Sequence, residues 1–404
     1  MIKNNLNFFN NIQKKNLDSK SIKKFTKLFP KIFSKVFTDI NSSKKTLNIL
    51  NRKFNFNFEF KDLEKFKSFK TIAIIGMGGS ILGSEAVSHF LKEKINKKIY
   101  FFNDLNIKKI QNFKKKKNLN KVLFFVISKS GNTIETLSNF FTLKIIKKNS
   151  KNIIIISEKK NNLLYSLSKK FNLFYIEHKN YIGGRYSVLS EVGIVPAYLM
   201  GININKLRSG SLKSLKKTQL FLKDSTIMLS SLLSFKKIDN LIFLNYCPEL
   251  EKFLFWCQQL IAESLGKNGK GFLPTISNVP KDHHSLLQLY LDGPKNKLFY
   301  IFSNEESSKE KINIKEILKE KNFLNNKTLN SIKKAQKNAL IKTLKDKNIP
   351  FREFKIKNIN EEVLGELFSY FILETVIIGK LTNINPFDQP AVEQVKIYTK
   401  DLLN

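Results

Sequence analysis

Residues Phe124 to Phe140, FFVISKSGNTIETLSNF, place a lysine, three hydroxyls and a glycine between an apolar run and a helical pattern. Phe124–Ile127 reads as a buried strand, Ser128–Thr133 as a tight polar turn, and Ile134 as the opening of a helix. A turn of this kind is suited to an anion. Backbone N–H groups at a helix start are unpaired, and the positive end of the helix dipole lies at the same place. Ser128, Ser130 and Thr133 add side-chain donors, and Gly131 permits a positive φ or a close approach. An ordinary Ser/Thr-capped turn has the same appearance and is the commoner object. A second turn, Gly76–Ser80 (GMGGS), also follows an apolar strand and precedes a helix. Its glycine spacing is not that of a dinucleotide fingerprint, and no acidic residue ends the next strand where a ribose needs one. It reads as a second loop touching a phosphate or sugar, with Ser80 as a donor.

The elements that must carry these loops alternate between strand and helix. Thr71–Ile75, Lys98–Phe102, Lys121–Ile127, Asn152–Ile156 and Leu173–Ile176 read as short parallel strands buried on both faces. A second unit begins near Ser211, with strands at Leu241–Asn245, Lys297–Phe302 and Phe351–Ile356. Its helices are expected near Thr218–Leu233, Glu249–Leu265, Asp282–Leu291, Leu329–Leu344 and Glu361–Gly379. Residues from Gly266 to Pro280 read as a loop, the charged stretch Ser303–Asn326 as mobile, and Gln389–Leu402 as a last helix. Residues 1 to about 70 read as helices outside the first sheet, with a strand-like FNFNFEF at Phe54–Phe60. The fold class is α/β, two doubly wound sheets joined near residues 205–215. The expected division is 1–60, an N-terminal helical extension; 61–210, a first unit with the anion loop; 211–380, a second unit; and 381–404, a C-terminal segment.

Composition narrows the functional classes. The chain has 404 residues, 42% hydrophobic, with 36 Phe, enough for two cores. Lys and Arg total 71 against 33 acidic residues, a formal charge of +38. Such an excess ordinarily suggests nucleic acid or a membrane surface. Here the lysines are spread along the chain beside abundant Asn, Ile and Phe, as A+T-rich codons produce. Aromatics are not interleaved with them as a stacking platform requires. No nucleic-acid or membrane partner is expected. No apolar run approaches a membrane span and the N-terminal stretch lacks a secretory core, so the expected location is the cytoplasm. Cys247 and Cys257 form no metal pattern and read as buried thiols.

Five motifs together resemble one family. SKSGNTIET at 128–136 resembles the phosphate loop of the sugar isomerase (SIS) domain. With GMGGSILG at 76–83, GGRYS at 183–187, ESLGK at 263–267 and NPFDQPAVEQVK at 385–396, it follows the order and spacing of the phosphoglucose isomerase family. The resemblance runs from about residue 70 to the C-terminus. It implies two SIS-type α/β/α sandwiches and reversible conversion of glucose 6-phosphate to fructose 6-phosphate through a cis-enediol, with no metal or organic cofactor. Ser128, Lys129, Ser130 and Thr133 would hold the phosphate, with Ser80 nearby. Glu263 would be the base and Arg185 would stand against the reacting carbons. His284 and Lys396 would handle ring opening. Glu135, Gly184, Gln259 and Gln389 would line the substrate. The resemblance also implies a homodimer in which the histidine reaches the neighbouring subunit's site. Wider acceptance of mannose 6-phosphate, and a non-catalytic sugar-phosphate sensor, are the alternatives; a sensor would dispense with the base, histidine and lysine that this chain keeps.

These residue types suit that reaction. A carboxylate base on one face of an enediol moves a proton between C2 and C1, and a fixed guanidinium offsets charge on the two oxygens. Arginine stands out in a chain that strongly prefers lysine, and bidentate geometry is a reason to keep it. Two positions depart from the family pattern: Ser130 stands where threonine is common, and Ala391 where glycine is usual, which is expected to shift Gln389 slightly.

Overall fold

The computed structural model describes residues 6–217, 219–235, 237–305, 309–314 and 322–404. Among these residues ten strands form two sheets. The first contains β2 (Thr71–Gly76), β3 (Lys98–Phe102), β4 (Val122–Ile127), β5 (Ile153–Ser157) and β6 (Phe174–Glu177), all parallel, in the order β3-β2-β4-β5-β6. The second contains β1 (Leu6–Asn11), β7 (Asn240–Asn245), β8 (Leu273–Asn278), β9 (Lys297–Asn304) and β10 (Phe351–Ile356), in the order β1-β10-β9-β7-β8. Only β1 runs antiparallel to its neighbour.

Alternation along the central strands sorts side chains between cores. In β2, Ile72 and Ile74 join a large central core, whereas Ala73 and Ile75 face a smaller one on the sheet's other side. In the second sheet, Leu241 and Phe243 of β7 join the same central core, and Ile242 and Leu244 a third. The two sheets therefore share one apolar interior. Through it runs Glu361–Leu381, a helix buried on nearly every face; a helix apolar all round needs such surroundings. Among the described residues no helix is long and apolar enough to cross a membrane.

Several expectations change. Residues 1–60 include the edge strand β1, added to the second sheet, while residues 1–5 lie outside the described ones. The helix Ser19–Asn41 buries Phe25, Phe29, Val36 and Ile40 and packs on the helices Gln219–Phe235 and Glu361–Leu381, not on the first sheet. Phe54–Phe60 contains no strand. Its alternating phenylalanines form an aromatic cluster, Phe56 on Phe58 at 5.1 Å and Phe58 on Phe60 at 5.2 Å, with the Arg208 guanidinium over Phe54 and Phe56. The expected join at 205–215 is a continuous helix, Ile204–Lys217, seated on Glu361–Leu381. A Cβ at Gly210 would meet Glu362 O at 1.9 Å and one at Gly365 would meet Leu207 O at 1.9 Å, so both helices need glycine at the crossing. The loop expected at 266–280 contains β8; Pro274 is tolerated there because β8 is an edge strand. The stretch read as mobile, Ser303–Asn326, falls partly outside the described residues.

Candidate active site

The loops at 76–80 and 128–133 each leave the C-terminal end of a strand. After β4, the Ser128 and Thr133 hydroxyls lie 2.8 Å apart and Ser130 Oγ lies 3.4 Å from Ser128 Oγ. Thr133 caps the helix Ile134–Leu143 by position, yet its side chain makes no capping hydrogen bond, so the hydroxyls face one another around the helix start. Gly131 has φ 69°, and a Cβ there would meet Asn162 Oδ1 at 1.8 Å. Glycine is thus required both for its backbone angle and by the close neighbour. Glu135 is half-buried in the first turn of the helix.

Lys129 bends back from this turn. Its Nζ donates to Asn180 O at 2.8 Å and lies 3.6 Å from Glu158 Oε1. Burial lowers its pKa, Glu158 opposes that, and the nearby charges of Lys160 and Arg185 lower it further. Beside it His178 is fully buried. Its Nδ1 donates to Lys179 O at 3.0 Å, which leaves Nε2 as an acceptor without a protein partner. Burial pushes the His178 pKa down to about 4, so the ring is neutral at physiological pH.

The centre is Arg185, in the helical turn Gly184–Leu189 after β6, and 2% exposed. Nε donates to Ser264 Oγ at 2.8 Å. Nη1 donates to Glu263 Oε1 at 2.9 Å and Gln389 Oε1 at 2.7 Å, and Nη2 to the carbonyls of Pro386 at 2.6 Å and Asp388 at 3.0 Å. All five guanidinium N–H groups are directed, a fork that lysine cannot reproduce. Glu263, near the end of the helix Glu251–Leu265, accepts on its other oxygen from Gln259 Nε2 at 2.9 Å. Gln259 Oε1 is buried without a protein partner. The Gly76–Ser80 loop fits between these groups: a Cβ at Gly79 would meet Gly184 C at 2.1 Å, and one at Gly78 would meet Gln259 Nε2 at 2.8 Å. Ser80, half-buried, closes this loop before the helix Leu82–Phe90.

The segment 385–389 is tied down by Lys267, which pairs with Asp388 at 2.8 Å and donates to Asn385 O. Tyr186 Oη donates to Pro386 O at 2.9 Å. Gln389 Oε1 accepts from Arg185 Nη1 with Ala391 two positions further on. Sequence reasoning did not single out Ser264, Tyr186, Lys267 or Asp388, although GGRYS, ESLGK and NPFDQ contain all four.

One chain thus gathers Arg185, Glu263, Gln259, Gln389, Gly184 and the Gly78–Ser80 loop, with Lys129 near enough for Arg185 to affect its charge. The Ser128, Ser130 and Thr133 hydroxyls and Glu135 form their own cluster at the helix start, and two further expected residues, His284 and Lys396, lie on other elements. His284 is exposed on the helix His283–Asp292, and Lys396 is exposed on the helix Glu393–Leu403, paired with Glu393 at 2.7 Å.

Two doubly wound sheets, the first with hydroxyl- and glycine-rich loops at its strand ends, define the SIS-type α/β fold class. Residues 34–404 match the family model for phosphoglucose isomerase, so the chain belongs to that family. Similar relatives include glucose-6-phosphate isomerase of Methanocaldococcus jannaschii, 32% identical over 83% of this chain and 86% of the relative. The glucose-6-phosphate isomerase of Campylobacter jejuni is 30% identical over 83% and 86% respectively. Among solved structures, a hypothetical protein from Thermus thermophilus shares the fold with TM-score 0.81 and 21% identity, covering 98% of this chain and all of that one. A glucose-6-phosphate isomerase from Chlamydia trachomatis gives TM-score 0.77 and 15% identity over 99% of this chain and 88% of that one.

Proposed function

We propose that this chain interconverts glucose 6-phosphate and fructose 6-phosphate through a cis-enediol, with Glu263 as the base. The observation that carries the assignment is the Glu263 carboxylate, held on one oxygen by Arg185 and on the other by Gln259. A base so fixed keeps one face toward the substrate carbons while a proton moves between C2 and C1; general base catalysis typically contributes about 10²–10⁴ in rate. Arg185 supplies positive charge beside the developing oxyanions, an effect worth roughly 3–4 kcal/mol. The unpartnered Gln259 Oε1 is suited to accept from a sugar hydroxyl.

The phosphate takes the Ser128, Ser130 and Thr133 hydroxyls at the helix start, with Lys129 alongside and Ser80 and Glu135 bordering the sugar. Its binding energy orients the reacting end. His284 donates to the ring oxygen and Lys396 assists with the hydroxyl proton during ring opening. Both are exposed in a single chain, so we assign them to a homodimer in which His284 enters the neighbouring site. The C-terminal helix supports this reading: Val395 is 67% and Leu402 88% exposed, apolar surface that a second subunit would cover. The expected location is the cytoplasm.

The deciding experiment is an assay of fructose 6-phosphate conversion by the wild type and by Glu263→Gln. Glutamine keeps the side-chain shape and can still accept from Arg185, with its amide N–H2 meeting a flipped Gln259 Oε1, but it is not a base, so kcat should fall by about 10²-fold or more with folding intact. An unchanged rate removes the base assignment; a wild type inactive on both hexose phosphates removes the enzyme reading.

A further inference from the structure

The two sheets follow one plan. Read from the appropriate edge, β3-β2-β4-β5-β6 and β8-β7-β9-β10-β1 are the same arrangement, with the last strand of the second reversed. Their registers correspond as well. At the ends of the two central strands Gly76 pairs with Ile127 in the first sheet, and Asn245 with Phe302 in the second. Ser303 therefore occupies the place of Ser128, and Tyr246 that of Met77. In open α/β sheets the crevice beyond the strand C-termini, where the strand order reverses, is where ligands bind.

In the second sheet that crevice is a cavity of about 540 Å³, whose walls include Tyr246, Ser303, Asn304, Lys333, Lys337 and Lys355. Its volume falls within the roughly 300–1,000 Å³ of small-molecule sites. None of its walls belongs to the Arg185–Glu263 centre. Lys337 is buried, pairs with Glu353 at 2.6 Å and reaches Ser303 Oγ at 3.4 Å. Lys355 shares the same carboxylate at 3.4 Å. Lys333 and Lys334, on the helix Leu329–Asp346, also line the cavity and form no ion pair among the described residues. Among the described residues lysines thus outnumber the carboxylates, Glu353 and the lining Glu305. Both amide atoms of Asn304 are out of solvent contact without a protein partner, a donor and an acceptor left for something else. The glycine of the first loop has no counterpart in the sequence here, since Glu306 follows Ser303 at the spacing by which Gly131 follows Ser128. An anion would be held by ammonium groups instead of backbone N–H groups.

We propose that this cavity is a second ligand site, taking a phosphate monoester between Lys333, Lys334 and Lys337, with Ser303 and Asn304 completing its contacts. Tyr246 Oη lies 3.0 Å from His283 Nε2, so one wall continues into the helix that carries His284.

Calorimetric titration of the full chain with inorganic phosphate tests this. Two phosphate sites per chain are expected in the wild type and one in Lys333→Gln/Lys334→Gln, with kcat and KM for isomerisation unchanged. Lys334→Gln alone, at an exposed helix position, should weaken the second site by about tenfold. The control pair Lys115→Gln/Lys116→Gln should retain both sites. Fructose 6-phosphate should displace the second phosphate from the wild type. A single site in the wild type, a lysine double variant that titrates like the wild type, or an equal loss in the control pair overturns the proposal. Failure of fructose 6-phosphate to displace the second phosphate overturns the monoester assignment.

Discussion

Arg185 Nη1 donates to Glu263 Oε1 at 2.9 Å, joining a helical turn that follows the first sheet to a helix that follows β7 of the second. The pair bridges the two halves of the fold; three further guanidinium donors bind the 386–389 segment to the same point, and Nε binds Ser264. Arg185→Lys keeps the charge but replaces a planar fork by a point donor. We expect kcat/KM to fall by about 10²–10³, with a lowered melting temperature as the Pro386 and Asp388 carbonyls lose their partner. Steady-state kinetics beside a thermal melt checks this; near-wild-type kinetics would show that the fork is dispensable.

The turn proposed to hold the phosphate makes a separate prediction. Gly131→Ala combines a positive φ with a Cβ placed 1.8 Å from Asn162 Oδ1, so the turn must move. The hydroxyls of Ser128 and Thr133 then lose their arrangement around the helix start. KM for fructose 6-phosphate should rise about tenfold or more, equivalent to ~1.4 kcal/mol of binding. Inorganic phosphate should lose potency as a competitive inhibitor in parallel, and a variant with unaltered KM would separate the turn from substrate binding.

His178 predicts an acid sensitivity. Its pKa is held at about 4 in the fold by burial, against an ordinary value of 6.5. Between these values the unfolded chain binds the extra proton and the folded one does not. The stability associated with the neutral ring is therefore complete above pH about 6.5 and lost as the pH falls towards about 4, by on the order of 3 kcal/mol in all. His178→Asn, which can still donate to Lys179 O, should flatten that part of a denaturation-versus-pH curve. An unchanged curve would place the titration elsewhere.

The C-terminal helix carries the quaternary prediction. Val395→Lys with Leu402→Lys should shift the chain toward monomer in sedimentation and reduce activity with it. Mixing Glu263→Gln and His284→Ala subunits, each inactive alone, should restore about a quarter of wild-type activity if sites are shared across a twofold axis. No recovery after demonstrated subunit exchange would assign His284 to its own chain's site.

Much of this molecule is legible in its residues, and the reason is local. The apolar runs at Thr71–Ile75 and Val122–Ile127 can only be strands buried on both faces, and the hydroxyl–glycine turn after them acts through groups a few positions apart. Long-range consequences are less visible. Leu6–Asn11 becomes a strand only because the edge of β10 is open to it, and Phe54–Phe60 alternates like a strand yet closes on itself as an aromatic cluster. Sequence by itself determined the strand–helix alternation, the hydroxyl–glycine turn and the identities of Arg185, Glu263 and Gln389. Tertiary structure alone decided that these three meet, that Lys267 and Asp388 hold their support, and that His284 and Lys396 stay outside one chain's centre. Hydrogen bonds between residues as far apart as Arg185 and Gln389 depend on how two sheets share a core, and packing of that kind leaves no local signature.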